Sequence, residues 1–173
     1  MVDLQGQYKR LEKELSPAIN EVLQSCYFVG GPQVKAFAED LAEYLNVKHV
    51  IPCGNGTDAL QLALMAMDLK RGDEVITSPF TFVATVEVIA LLGLKPVFVD
   101  CLPDSFNIDP EKVAAAITDK TRCIIPIHLF GQGAQMEALM EMVAGTDIYV
   151  LEDNAQAIGA EYFFSDGRSQ KLG

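Results

Sequence analysis

The chain has 173 residues, half of them hydrophobic, with nine Phe, five Tyr and a formal net charge of −11. That length suffices for one domain with a single core, and the composition is that of a packed globular protein. The acidic balance excludes unaided nucleic-acid binding, where Lys and Arg must neutralise phosphates, and attraction to anionic membranes; otherwise it serves solubility. The N-terminal MVDLQGQYKR carries no apolar signal-peptide core. The most apolar stretch, residues 82–94, is interrupted by Glu87 and Gly93 and is too short to span a bilayer. Cys26, Cys53, Cys101 and Cys123 show no C-x-x-C spacing and read as small buried hydrophobes in a reducing compartment. A cytoplasmic protein is expected. No metal-ligand cluster is evident, since His49 and His128 lie far apart.

Apolar positions at helical spacing predict helices over residues 8–25 and 32–45, with Phe37, Leu41 and Tyr44 as one stripe. Gly30-Gly31-Pro32 separates them, Pro32 being suited to the first turn of the second helix. A first strand is expected at 49–53, passing through Gly54-Asn55-Gly56 into a helix over about 57–67. A second strand at 74–77 is closed by Ser78-Pro79 and followed by a helix over 81–92. A third strand spans 96–100, and Asp109-Pro110 opens a helix ending near 117. A fourth strand at 122–127, a helix at 136–143 and a fifth strand at 147–151 complete the pattern.

Strands alternating with helices predict an α/β fold, a mostly parallel sheet with helices on both faces. The run Ile148-Tyr149-Val150-Leu151 fits a strand buried on both sides. Residues 165–173 are polar and Gly-containing, with no element expected. The expected organisation is an N-terminal helical segment at 1–30, an α/β core at 31–164 and a polar tail at 165–173. A sheet ending in a polar stub reads as a truncated large domain.

Ligands of open α/β sheets bind beyond the carboxyl ends of the strands. The first strand delivers Gly54-Asn55-Gly56-Thr57-Asp58 there. Its glycines permit close backbone approach and positive φ, and Thr57 can cap a helix whose free N–H groups favour an anion. An ordinary tight turn before a capped helix explains the same residues. The second strand delivers Ser78-Pro79-Phe80-Thr81-Phe82, aromatics suited either to the core or to stacking on a ring. The fourth delivers His128, which is either a hydrogen-bonded structural residue or a site residue. The fifth delivers Glu152-Asp153-Asn154-Ala155-Gln156. An acid directly after a buried strand is costly unless solvated or paired, so Asp153 binds a metal, caps a turn or holds a cationic nitrogen. Gln156 shares its face if a helical turn starts here. Anion cradle, stacking ring and carboxylate on one edge suit a flat, phosphorylated, nitrogen-containing ring.

An ordered set of segments resembles the DegT/DnrJ/EryC1/StrS sugar aminotransferases, a branch of the fold-type-I pyridoxal-phosphate enzymes. The runs are Val2-Asp3-Leu4 with Gln7, Gly31-Pro32, GNGTDAL at 54–60, GDEVITSPFTFVAT at 72–85, KPVFVD at 95–100, PIHLFGQ at 126–132 and EDNAQAIGA at 152–160. The resemblance implies the large-domain fold of the aspartate-aminotransferase type and pyridoxal 5′-phosphate as cofactor. Gly56, Thr57 and Asp58 would hold its phosphate, Phe82 would stack on the pyridine, and Asp153 would pair with the protonated ring nitrogen. Gln156 would bond near the ring hydroxyl, and His128 would lie near the substrate. The implied reaction moves an amino group from glutamate to a keto sugar linked to UDP or dTDP, in a homodimer making amino sugars for polysaccharide. The family's catalytic lysine lies a few tens of residues beyond the acidic motif. Lys171 does not match its surroundings and reads as a solvated tail residue, so the 173-residue chain is expected to be inactive alone. Two other readings are a sugar dehydratase on this scaffold, with His in place of the lysine, and a lysine-less binding module. A dinucleotide-binding domain is disfavoured, because G-x-G-x-x-G is missing.

Overall fold

The computed structural model describes residues 2–173. It divides into two units, one ending at Pro52 and the other running from Cys53 to Gly173. The division expected after residue 30 is thus replaced by a later one.

The first unit contains α1 (Leu4–Ser25) and α2 (Pro32–Leu45). The Asp3 side chain accepts the Gly6 N–H at 2.9 Å and starts α1 a turn earlier than periodicity suggests. Pro32 occupies the first turn of α2 as expected, and Asn46, at φ 56°, ends it. No residue of either helix is buried, so the Phe37 stripe forms but is left uncovered. Residues 49–53 are not a strand. Their content favours extended backbone, but a strand persists only where its N–H and C=O groups find a ladder. Among the described residues none pairs with them, and Ile51 is 83% exposed.

The second unit is built on four parallel strands, β1 (Glu74–Thr77), β2 (Lys95–Phe98), β3 (Thr121–Ile125) and β4 (Tyr149–Val150), in the order β2-β1-β3-β4. Between them run α3 (Gly56–Ala66), which precedes β1, then α4 (Val83–Leu91), α5 (Pro110–Ala116) and α6 (Met136–Val143). Side chains alternate between faces along each strand. Val75, Cys123 and Ile125 pack with Leu60 and Leu64 of α3 and Val88 and Ile89 of α4. Ile76 and Ile124 point the other way, into a cluster with Val113 of α5 and Met136, Leu139 and Val143 of α6. Both faces are therefore covered, as the alternation predicts. The strand expected to be buried on both sides is instead a short edge: Tyr149 is exposed and Val150 half-buried, because only β3 flanks β4.

The expected structureless tail is a hairpin of β5 (Glu161–Phe163) and β6 (Ser169–Lys171), paired antiparallel with Glu161 opposite Lys171. Leu172 enters the α5–α6 core, and Asn154 Nδ2 donates to its carbonyl at 2.8 Å. Lys171 is accordingly half-buried within a strand, not a solvated tail residue. Strands of three residues are too short for apolar alternation to reveal. No helix among the described residues is long and apolar enough to cross a membrane.

Candidate functional site

The chain leaves β1 towards β2 on one side and leaves β3 towards β4 on the other. The crevice where neighbouring loops diverge at the carboxyl edge is where such sheets take ligands. A cleft of about 250 Å³ lies there, lined by Gly56 and Thr57 from α3, Thr81, Phe82 and Thr85 from the β1–α4 region, Ile127 beyond β3, and Asp153 and Gln156 beyond β4.

Its first wall is the start of α3. Asn55 caps the helix: its Oδ1 accepts the Asp58 N–H at 2.9 Å, and its Nδ2 donates to Asp58 Oδ2 at 3.0 Å. The cap is Asn55 and not Thr57, which sits half-buried inside the first turn and lines the cleft. The N–H of Asp58 is satisfied by this cap and that of Ala59 by the Asn55 carbonyl. Those of Gly56 and Thr57 precede any intrahelical acceptor, and both residues line the cleft. The Asp58 carboxylate folds back on the turn, and a Cβ on Gly54 would sit 2.8 Å from its Oδ2. A small shift of that exposed side chain would relieve the contact, and neither Gly54 nor Gly56 has the positive φ that sequence reasoning allowed for. Asp58 is not among the cleft's lining residues.

The second wall is the N-terminus of α4. Phe82 occupies the N-cap position, and the residue is 72% exposed while lining the cleft. An aromatic so exposed beside a cleft is available for stacking. Thr81 Oγ1 and Thr85 Oγ1 lie 3.0 Å apart, one helical turn from each other.

Asp153 forms the floor. Its N–H donates to the Pro126 carbonyl at 2.9 Å and its own carbonyl accepts the His128 N–H at 3.1 Å, a bridge that prolongs β3–β4 pairing. The carboxylate is 9% exposed; Oδ2 accepts the Thr85 hydroxyl at 2.8 Å and Oδ1 accepts the Ala155 N–H at 3.3 Å. Among the described residues no cation bonds it. A buried carboxylate without a cation carries an uncompensated desolvation cost.

Gln156 lines the cleft, and its Oε1 accepts the Phe130 N–H at 2.8 Å, which leaves only the amide NH₂ to offer a ligand. The turn that presents this N–H has Phe130 at φ 57° and Gly131 at φ 82°. His128 lies outside the cleft and is fully buried. Its Nδ1 accepts the Ala134 N–H at 3.1 Å, so the ring proton resides on Nε2, 2.7 Å from Glu152 Oε2. Both ring nitrogens are engaged within the fold.

Of the residues singled out from sequence, Gly56, Thr57, Phe82, Asp153 and Gln156 converge on one cleft, whereas Asp58 and His128 do not line it. Asn55 and Thr85 were missed. Asn before a helix is a legible cap signal, but nothing local links Thr85 to a carboxylate 68 positions away.

Comparison with known proteins defines the class. The solved structure of S. venezuelae DesV, in complex with a ketimine intermediate, matches with a TM-score of 0.91 at 34% identity, covering 99% of this chain and 45% of that one. The fold is that of the pyridoxal-phosphate-dependent aminotransferases. Residues 9–168 match the DegT/DnrJ/EryC1/StrS aminotransferase family, and the chain belongs to it. A pleiotropic regulatory protein of Geobacillus stearothermophilus is 51% identical over 162 residues, covering 94% of this chain and 44% of that protein. A UDP-2-acetamido-2-deoxy-3-oxo-D-glucuronate aminotransferase of Pseudomonas aeruginosa is 44% identical over 161 residues, covering 93% and 45%. The chain thus spans about half the length of the curated relatives it matches.

Proposed function

We propose that this chain is the cofactor-docking part of a pyridoxal-phosphate-dependent aminotransferase that delivers an amino group from glutamate to a nucleotide-linked keto sugar. The observation that carries the reading is the buried, cation-free carboxylate of Asp153, in the same cleft as the open N–H groups at the start of α3. A ligand bearing an anion at one end and a protonated nitrogen at the other satisfies both. Pyridoxal 5′-phosphate has that pattern on a flat ring, and the exposed Phe82 suits its face.

In this assignment the Gly56 and Thr57 N–H groups, with the Thr57 hydroxyl, hold the phosphate. Asn55 and Asp58 lock the turn that presents them. Asp153 keeps the ring nitrogen protonated, and the Gln156 amide donates towards the ring hydroxyl. When bound, the cofactor supplies an electron sink for chemistry at the amino-bearing carbon. The buried His128, hydrogen-bonded to the half-buried Glu152, positions the Asp153 backbone through the His128 N–H. No lysine is among the residues lining the cleft, so the 173-residue chain is expected to bind the cofactor without a covalent link and not to turn over. A UDP- or dTDP-linked sugar in amino-sugar and polysaccharide synthesis is favoured by family membership and by likeness to the P. aeruginosa enzyme. A homodimer in the cytoplasm is the assembly and location we favour; of the four free cysteines expected to be buried only Cys123 is, its thiol pushed up by burial to about 12, while Cys26 and Cys53 are exposed and Cys101 is half-buried.

Titrating the chain with pyridoxal 5′-phosphate tests the docking site. Saturable binding, competed by inorganic phosphate, is expected, and its absence rejects the site. Incubating the complete protein with a UDP-linked 3-keto sugar and ¹⁵N-glutamate tests the reaction. A sugar that gains the ¹⁵N label supports amino transfer, whereas one that loses a hydroxyl instead assigns the scaffold to dehydration.

A further inference from the structure

We propose that Thr85 is a positioning residue of the cofactor site, its hydroxyl fixing the Asp153 carboxylate in the orientation and ionised form that a protonated ring nitrogen requires. The inference rests on the cofactor reading above and deepens it. Thr85 is 1% exposed, and its Oγ1 lies 2.8 Å from Asp153 Oδ2 and 3.0 Å from Thr81 Oγ1. A hydroxyl has a single proton to give. An ionised Asp153 can only accept, so the Thr85 proton points to it and Thr81 must donate to Thr85. The three groups then form a one-way chain from Thr81 through Thr85 to Asp153, each donor polarising the next.

A threonine in a helix commonly turns its hydroxyl to a backbone carbonyl one turn back. Thr85 instead bonds the Thr81 side chain and a carboxylate from the segment that follows β4, 68 positions along the chain. Its alignment therefore serves Asp153 and not the helix. On the other oxygen, the Ala155 N–H bond is long at 3.3 Å, so Thr85 supplies the stronger constraint. Without it, the carboxylate can rotate about its last bond, and a protonated ring nitrogen facing it loses the aligned acceptor that the site provides.

The test uses wild type, Thr85→Val, Thr85→Ser and Asp153→Asn, each with its melting curve. Dissociation constants for pyridoxal 5′-phosphate are measured together with the ring ¹⁵N resonance of the labelled, bound cofactor. Thr85→Val, nearly isosteric, is expected to weaken binding about tenfold and to move the ¹⁵N resonance towards that of an unprotonated ring. Thr85→Ser is expected to restore both. Thr85→Val with wild-type affinity and resonance, while Asp153→Asn is impaired, overturns this inference and leaves the parent reading standing. Failure of wild type to bind, or an Asp153→Asn variant that binds normally, overturns both. If Thr85→Val does not fold, Thr81→Val carries the test from its half-buried position. A resonance shift in the same direction, with binding weakened about threefold, supports the chain of hydroxyls, and an unchanged resonance rejects it.

Discussion

Glu74 opens β1 at the amino edge of the sheet and Asp153 follows β4 at the carboxyl edge; both carboxylates are buried, at 5% and 9% exposure. Their partners differ. Glu74 accepts the Thr118 hydroxyl at 2.6 Å and the Lys95 ammonium at 2.9 Å, across adjacent strands in register. Those two hydrogen bonds, Thr118 first and Lys95 second, hold its carboxyl below the ordinary value of 4.5. Asp153 has a hydroxyl and a backbone N–H but no cation among the described residues. A fold that could pair its amino-edge acid with a lysine leaves the carboxyl-edge acid without one, beside a cleft. The amino edge completes its electrostatics from within the chain, and the carboxyl edge leaves a place for a cation from outside.

Asp153→Asn should produce the largest effect on binding, about a hundredfold loss of pyridoxal 5′-phosphate affinity, by removing the charged partner of the ring nitrogen. In the cofactor-free protein the same change should leave the melting temperature unchanged or raise it, since an uncompensated charge disappears. Calorimetry on both states checks this, and a drop in the cofactor-free protein as large as that of Glu74→Gln would erase the contrast between the edges. Phe82→Ala should weaken cofactor binding about five- to tenfold with little change in melting, because the exposed ring contributes little to the core. Asn55→Ala should cost about 1 kcal/mol, seen as a melting shift of about 2–4 °C, and loosen phosphate binding about threefold. Equal binding by this variant would show that the α3 terminus is not the anion site.

Glu74→Gln should act on stability alone, with cofactor affinity unchanged. Its effect depends on pH with a definite sign. A carboxyl held below its ordinary value stabilises the fold above about pH 4.5 and loses that contribution as the pH falls through the lower, folded-state value. The melting difference between wild type and Glu74→Gln is therefore expected to be largest near neutrality and to close in acid. A difference that persists unchanged at pH 3 would mean that Glu74 acts by packing and not by charge.

Much of this was legible in the chain before folding was considered. Residues 32–45 and 136–143 carry helix periodicity that the structure follows end to end, and the buried strand at 74–77 stands between turn signals that bound it. Gly56, Thr57, Phe82, Asp153 and Gln156 were readable as a group because each follows a strand or opens a helix, and strand tips of a parallel sheet share one edge. The strands that were not legible depend on pairing, which the pattern along a single segment does not report. Residues 49–53 have strand-forming content without a neighbouring ladder. Residues 161–163 and 169–171 pair as a hairpin across a connection that holds Asp166-Gly167, a turn signal passed over in a stretch whose second half is polar, and Leu172 anchors it in the core.

The order of apolar and turn residues by itself determined an alternating α/β chain and the faces that α3 to α6 bury, while an ordered set of sequence runs carried the resemblance to the family. These are local or periodic properties, set by propensity and by the hydrophobic effect acting on one face at a time. Only the tertiary structure decided that His128 has both nitrogens engaged inside the fold and that Thr85 bonds Asp153. Hydrogen bonds act over about 3 Å, and which groups come that close is a property of the packed sheet, not of spacing along the chain.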